Sequence, residues 1–179
     1  MTFGGNDMKD RRLKLYNMAF PIWLLWIVPL TWLIVLPANF IIDFAVIFLT
    51  LKIMKIKEAF KHSKKVILKT WIFGFVADFA GAAFMLLGVM LFPNYSNNFE
   101  KWWNHNICNP LTFNPFNNIF SFLWTFVAAT ISALLIYVFN RKICLKKSEL
   151  DDSVKKKLSI VMAIATAPYL FFLPTGLFM

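Results

Sequence analysis

Apolar residues in this chain fall in long unbroken blocks rather than at the alternating spacing of a half-buried strand or the stripe spacing of a surface helix. The first block runs from about residue 18 to residue 51. As one helix it would be roughly 50 Å long, far beyond a hydrocarbon core of about 30 Å. A fold-back is legible at Leu36, Pro37, Ala38 and Asn39, where Pro blocks a continuing helix and Asn favours a turn. The pattern predicts a helical hairpin with spans over about 18–36 and 38–53. Three further blocks predict spans over about 70–92, 119–139 and 158–178.

The stretches between these blocks are of two kinds. Residues 52–69 and 140–157 are basic, and the first places Ile53, Ile56 and Phe60 at helical spacing opposite lysines, as a short amphipathic helix would. Residues 93–118 are instead rich in Asn and aromatics. There Phe99, Glu100, Lys101, Trp102, Trp103 and Asn104 suit a membrane interface, with the tryptophans at headgroup level, and Pro93, Pro110 and Pro115 suggest a defined cap. Asn94, Tyr95 and Ser96 match an N-glycosylation acceptor. The expected fold is all-α, a single transmembrane domain over 1–179 built as a polytopic membrane helical bundle of five transmembrane helices: the N-terminal hairpin plus three spans.

Charge orients this arrangement. Of the 19 Lys and Arg residues, 18 fall in the tail before the hairpin and in the two basic loops; Lys101 alone falls in the Asn-rich loop. Lysine and arginine concentrate on the cytoplasmic side, so the expectation is a multi-pass cell-membrane protein with its N-terminus cytoplasmic and its C-terminus extracytoplasmic. A cleaved signal peptide fits the first block poorly, because the apolar stretch is long and Trp-rich and lacks a small-residue cleavage site.

Composition narrows the function classes. The chain is 59% hydrophobic and only 16% charged, whereas soluble domains carry about a quarter of charged residues. A net charge of +10 invites a nucleic-acid reading, but the basic residues flank apolar blocks and no soluble module presents them to a duplex. Contact with anionic lipid headgroups is the better use of the lysine clusters. Cys108 and Cys144 lie on opposite sides of the expected bilayer, as do His62 and His105, so neither pair can bridge or share a metal. A Gly-rich phosphate loop, a His-Glu-x-x-His and a Gly-x-Ser-x-Gly are all absent from the sequence. The expectation is a protein that is not an enzyme and has no cofactor. Its Phe-, Lys-, Ile- and Asn-rich usage suggests an AT-rich bacterial genome.

Two acidic residues inside the spans carry what chemistry there is. A charged side chain at a helix centre costs about 2.5–3.5 kcal/mol on insertion scales, so it faces protein or water and often marks a pathway. The five-span reading puts Asp78 near the midplane and Asp43 about 10 Å nearer the outer surface. That separation is too great for a shared-proton pair and suits successive stations of an ion or proton pathway. Gly74, Gly81 and Gly88 recur at seven-residue spacing, and Ala77 with Gly81 forms a small-xxx-small pair, which predicts close helix packing. Thr125, Ala129, Ser132 and Ala133 offer a matching face on the fourth span, and Ser159, Ala163, Thr166 and Ala167 on the fifth. Pro168 should kink the fifth span and free carbonyls near Ala163 and Ile164. Two functions fit: a transport or channel component that uses Asp78 and Asp43, or a non-catalytic subunit or anchor that assembles with partners. Either works as a homo-oligomer or a hetero-complex.

Overall fold

A computed structural model describes residues 29–92 and 96–175. The basic tail, residues 18–28 of the expected first span, Pro93, most of the glycosylation triplet and the last residues of the expected fifth span lie outside the described residues. The chain is all-α: α1 (Pro29–Ile53), α2 (Ala59–Met90), α3 (Asn98–Trp103), α4 (Asn109–Phe113), α5 (Ile119–Phe139) and α6 (Asp152–Ala165). Three helical stretches, Leu33–Ile53, Ala59–Met90 and Ile119–Cys144, are long and apolar enough to cross a membrane. The chain therefore reads as a multi-pass membrane protein with three long apolar helices among the described residues.

The hairpin is the first correction. Pro37 lies inside α1, and the helix continues through it to Ile53. Proline is tolerated in apolar helices, although Pro37 has no N–H for the Leu33 carbonyl four residues before it. Beside it, the Trp71 indole of α2 donates to the Leu36 carbonyl at 3.1 Å and ties the two helices together. The expected amphipathic helix over 52–69 is also replaced. A tight turn with Lys55 and Glu58 at positive φ joins α1 directly to α2, which at 32 residues is roughly 48 Å long. Its first turns carry lysines but also bury Ser63, Val66 and Ile67. The fifth element differs most. It begins at Asp152 and stops at Ala165, so its 14 residues cover only about 21 Å as helix.

Two cores hold the bundle. At the basic end, Ile47 and Leu51 of α1 meet Val66 and Ile67 of α2, Ile136 of α5, and Leu158 and Met162 of α6. At the other end, Met85, Ala128 and Phe171 pack with Ile107 and Leu111 of the Asn-rich loop. Toward the basic end, the Thr70 hydroxyl donates to the Asn140 side-chain oxygen at 3.0 Å and the Asn140 amide donates to the Ile136 carbonyl. Asn140 opens a wide helical turn, Asn140–Cys144, that extends α5. At the surface of this end, Arg141 binds Asp152 and Lys65 binds Glu149, holding both carboxyls below their usual range.

The Asn-rich loop is a folded cap. Asn97, Asn114 and Asn118 each accept a backbone N–H at a helix start, which is why asparagine recurs there. The orphan carbonyls at the end of α2 are taken up by the same loop: Trp103 donates its indole N–H to the Gly88 carbonyl at 2.8 Å, and the Cys108 thiol reaches the Val89 carbonyl. Trp103 packs against Trp124, while Trp102 is 39% exposed. The end of the chain closes onto this cap, where the Thr175 hydroxyl donates to the Thr112 carbonyl at 2.9 Å.

The glycine stripe divides by partner. A Cβ at Gly81 would fall onto the Ser132 hydroxyl, 2.8 Å from the Phe171 ring and 3.0 Å from the Ala128 carbonyl. One at Gly88 would meet Trp124 and Leu111 at 2.7 Å, but one at Gly74 meets only an Asp43 oxygen at 3.7 Å. Ala77 is fully buried. On α5 the close-contact positions are Thr125, Ala128 and Ser132, with Ala129 and Ala133 half-buried beside them. Gly81→Ala should therefore lower stability by about 1–3 kcal/mol through overpacking, and Gly74→Ala should change it by less than about 0.5 kcal/mol. Thermal unfolding in detergent, followed by circular dichroism, checks the contrast.

Candidate functional site

Proline chemistry shapes the site. Pro168 has no N–H to give the Ile164 carbonyl, so α6 ends at Ala165. Thr166 closes that end, its N–H and its hydroxyl both donating to the Met162 carbonyl at 3.0 and 2.8 Å. Pro168 sits at φ −75°, ψ 68°, the backbone of an inverse γ-turn, and the Tyr169 N–H bonds the Ala167 carbonyl at 2.7 Å across it. The vacated Ile164 carbonyl is claimed by the Tyr169 hydroxyl at 2.5 Å. The chain resumes as a short 3-10 turn, Tyr169–Phe172.

This break faces two carboxylates. A cavity of about 270 Å³ is walled by Asn39, Ile42 and Asp43 of α1, by Trp71, Gly74, Phe75 and Asp78 of α2, and by residues 165–170 of the break. Asp43 and Asp78 are each only 7% exposed. Asp78 Oδ1 is fully buried and has no hydrogen-bond partner, and the same holds for Ser132 Oγ, which faces α2 at Gly81. Neither carboxylate has a salt-bridge partner among the described residues. Among the described residues no Lys, Arg or His lines the cavity.

The structure corrects the placement of Asp43. Because α1 runs through Pro37, Asp43 is the midpoint of the apolar stretch Leu33–Ile53 rather than a residue near the outer surface. Its carboxylate reaches Gly74, one turn along α2 from Asp78, and the two acidic side chains lie within each other's field. Both line one cavity. Gly74 forms part of the cavity wall, whereas Ala77, Gly81 and Gly88 serve packing.

Sequence reasoning missed Trp71, Phe75 and Tyr169 as wall residues and read Asn39 only as a turn former. The legible signal was Pro168, which marks the break but does not say which helices it faces. Among the described residues no three His, Cys, Asp or Glu side chains gather as metal ligands would. No protein-family model matches this chain, and no curated protein or solved structure matches it.

The Tyr169 hydroxyl is the brace of the break, so Tyr169→Phe should leave the Ile164 carbonyl unpaired at a cost of about 1–3 kcal/mol. Hydrogen–deuterium exchange should rise over residues 164–172 and remain unchanged in α2 and α5.

Proposed function

We propose that this protein is an ion- or proton-coupled transport or channel component in which Asp43 and Asp78 take up the moving positive charge. The observation that carries this reading is the pairing of two buried carboxylates in one cavity with no cationic side chain among the described residues that line it. In an apolar bundle such a pair draws its counter-charge from a mobile species, a proton or another cation. The break at residues 166–168 supports the reading, because irregular backbone at membrane depth is tolerated where it lines a cavity.

Orientation follows from charge. Of the 15 Lys and Arg among the described residues, all but Lys101 lie in α1's last turn, the turn that follows it, α2's first turns, and the segment from Arg141 to Lys157, which form one end of the bundle. The positive-inside rule puts that end in the cytoplasm, where its lysines meet anionic headgroups.

In proteoliposomes the wild-type chain should carry protons or monovalent cations down an imposed gradient. Asp78→Asn should reduce that flux at least ten-fold while its thermal unfolding in detergent stays close to wild type. Undiminished flux through folded Asp78→Asn would sink the proposal. If the chain extracted gently from its native membrane is a defined hetero-complex and shows no flux alone, it is instead a non-catalytic subunit or anchor of that assembly.

A further inference from the structure

The Asp43–Asp78 cavity has a chemistry more specific than cation attraction, and its size and walls distinguish between kinds of cation. Hard metal ions take about six oxygen ligands at roughly 2.0–2.6 Å. Here the side-chain oxygens are two carboxylates, the Asn39 amide, and the hydroxyls of Thr166 and Tyr169. Both hydroxyls already donate to backbone carbonyls, which fixes their direction. The remaining side chains are apolar or aromatic, among them Trp71, Phe75 and Leu170. A volume of about 270 Å³ is far more than a bare metal ion occupies, and it approaches the lower edge of small-molecule pockets, about 300–1,000 Å³.

We propose that this cavity binds a small organic ammonium ion, with its charged nitrogen between Asp43 and Asp78 and its apolar body against Trp71, Phe75 and Tyr169. The inference rests on the reading of the two carboxylates as the site of positive charge, and it names the class of ion. Three features of the site match the ligand's three requirements. The carboxylate of Asp78, a cavity-lining residue that is 7% exposed and has no hydrogen-bond partner at Oδ1, is a counter-charge for an ammonium nitrogen. The aromatic rings supply the cation–π surface that alkylammonium groups favour. Gly74, which has no side chain to fill the wall between Asp43 and Asp78, leaves the space the ligand's body needs.

The test is equilibrium binding of benzyltrimethylammonium to the full-length protein in nanodiscs, alone and in the presence of sodium or potassium. Saturable binding is expected that neither metal ion displaces. Asp78→Asn should weaken it at least ten-fold, and Trp71→Leu several-fold. Gly74→Leu should also weaken it at least ten-fold by filling the cavity, whereas Gly74→Ala should bind as wild type does. Thermal unfolding identifies the folded variants, and the Gly74 pair keeps the test decisive if Asp78→Asn misfolds. Absence of saturable binding by the wild-type protein overturns the inference, as does displacement by sodium or potassium, or binding that Gly74→Leu leaves intact. Proton flux that depends on Asp78 without ammonium binding overturns this inference and leaves the transport reading standing. Ammonium binding without flux of any ion does the reverse.

Discussion

A backbone carbonyl left without a donor in an apolar bundle costs several kcal/mol, and most of what is distinctive here is a response to that cost. At the end of α2 the Trp103 indole takes the Gly88 carbonyl. At Pro168 the Tyr169 hydroxyl takes the Ile164 carbonyl. The aromatic richness of the chain thus serves two purposes, because Trp and Tyr bury large apolar surfaces and still carry one donor each.

The same constraint explains why the site lies where it does. A helix can break at membrane depth only where its loose backbone is supported, and the support at residues 166–168 comes from Thr166 and Tyr169 in the break itself. With the break self-supporting, its other face is left to meet α1 and α2. Those helices present Asp43 and Asp78 there, with Gly74 between them. Below and above the cavity the packing is tight: Thr70 and Asn140 tie α2 to α5 toward the basic end, and Gly81 lets α2 approach Ser132 and Ala128 toward the cap. The cavity is a gap held open between two well-packed cores.

Small residues mean different things along one stripe. Gly81 and Gly88 are places where a methyl group has no room, while Gly74 is a place where the room stays unfilled. Seven-residue spacing puts all three near one face of α2, but their neighbours come from α1, α5, the loop and the chain's last segment. A stripe read from spacing alone assigns them one role.

By itself the sequence determined the all-α class, the membrane-grade hydropathy, the collection of lysines and arginines at the helix ends, and the presence of Asp43 and Asp78 inside apolar stretches. These depend on composition, block length and local charge, which survive any arrangement of the helices. The break at Pro168 was legible as well, since a missing N–H is a local fact. What only the tertiary structure decided were the course of α1 through Pro37, the merger of the expected amphipathic helix into α2, and the meeting of both carboxylates in one cavity. Pro37 looks like a turn in sequence because proline removes a backbone bond; whether the helix ends there is decided by how α1 packs against its neighbours. Once α1 stays continuous, Asp43 moves from the outer surface to mid-span, and two isolated acids become a pair.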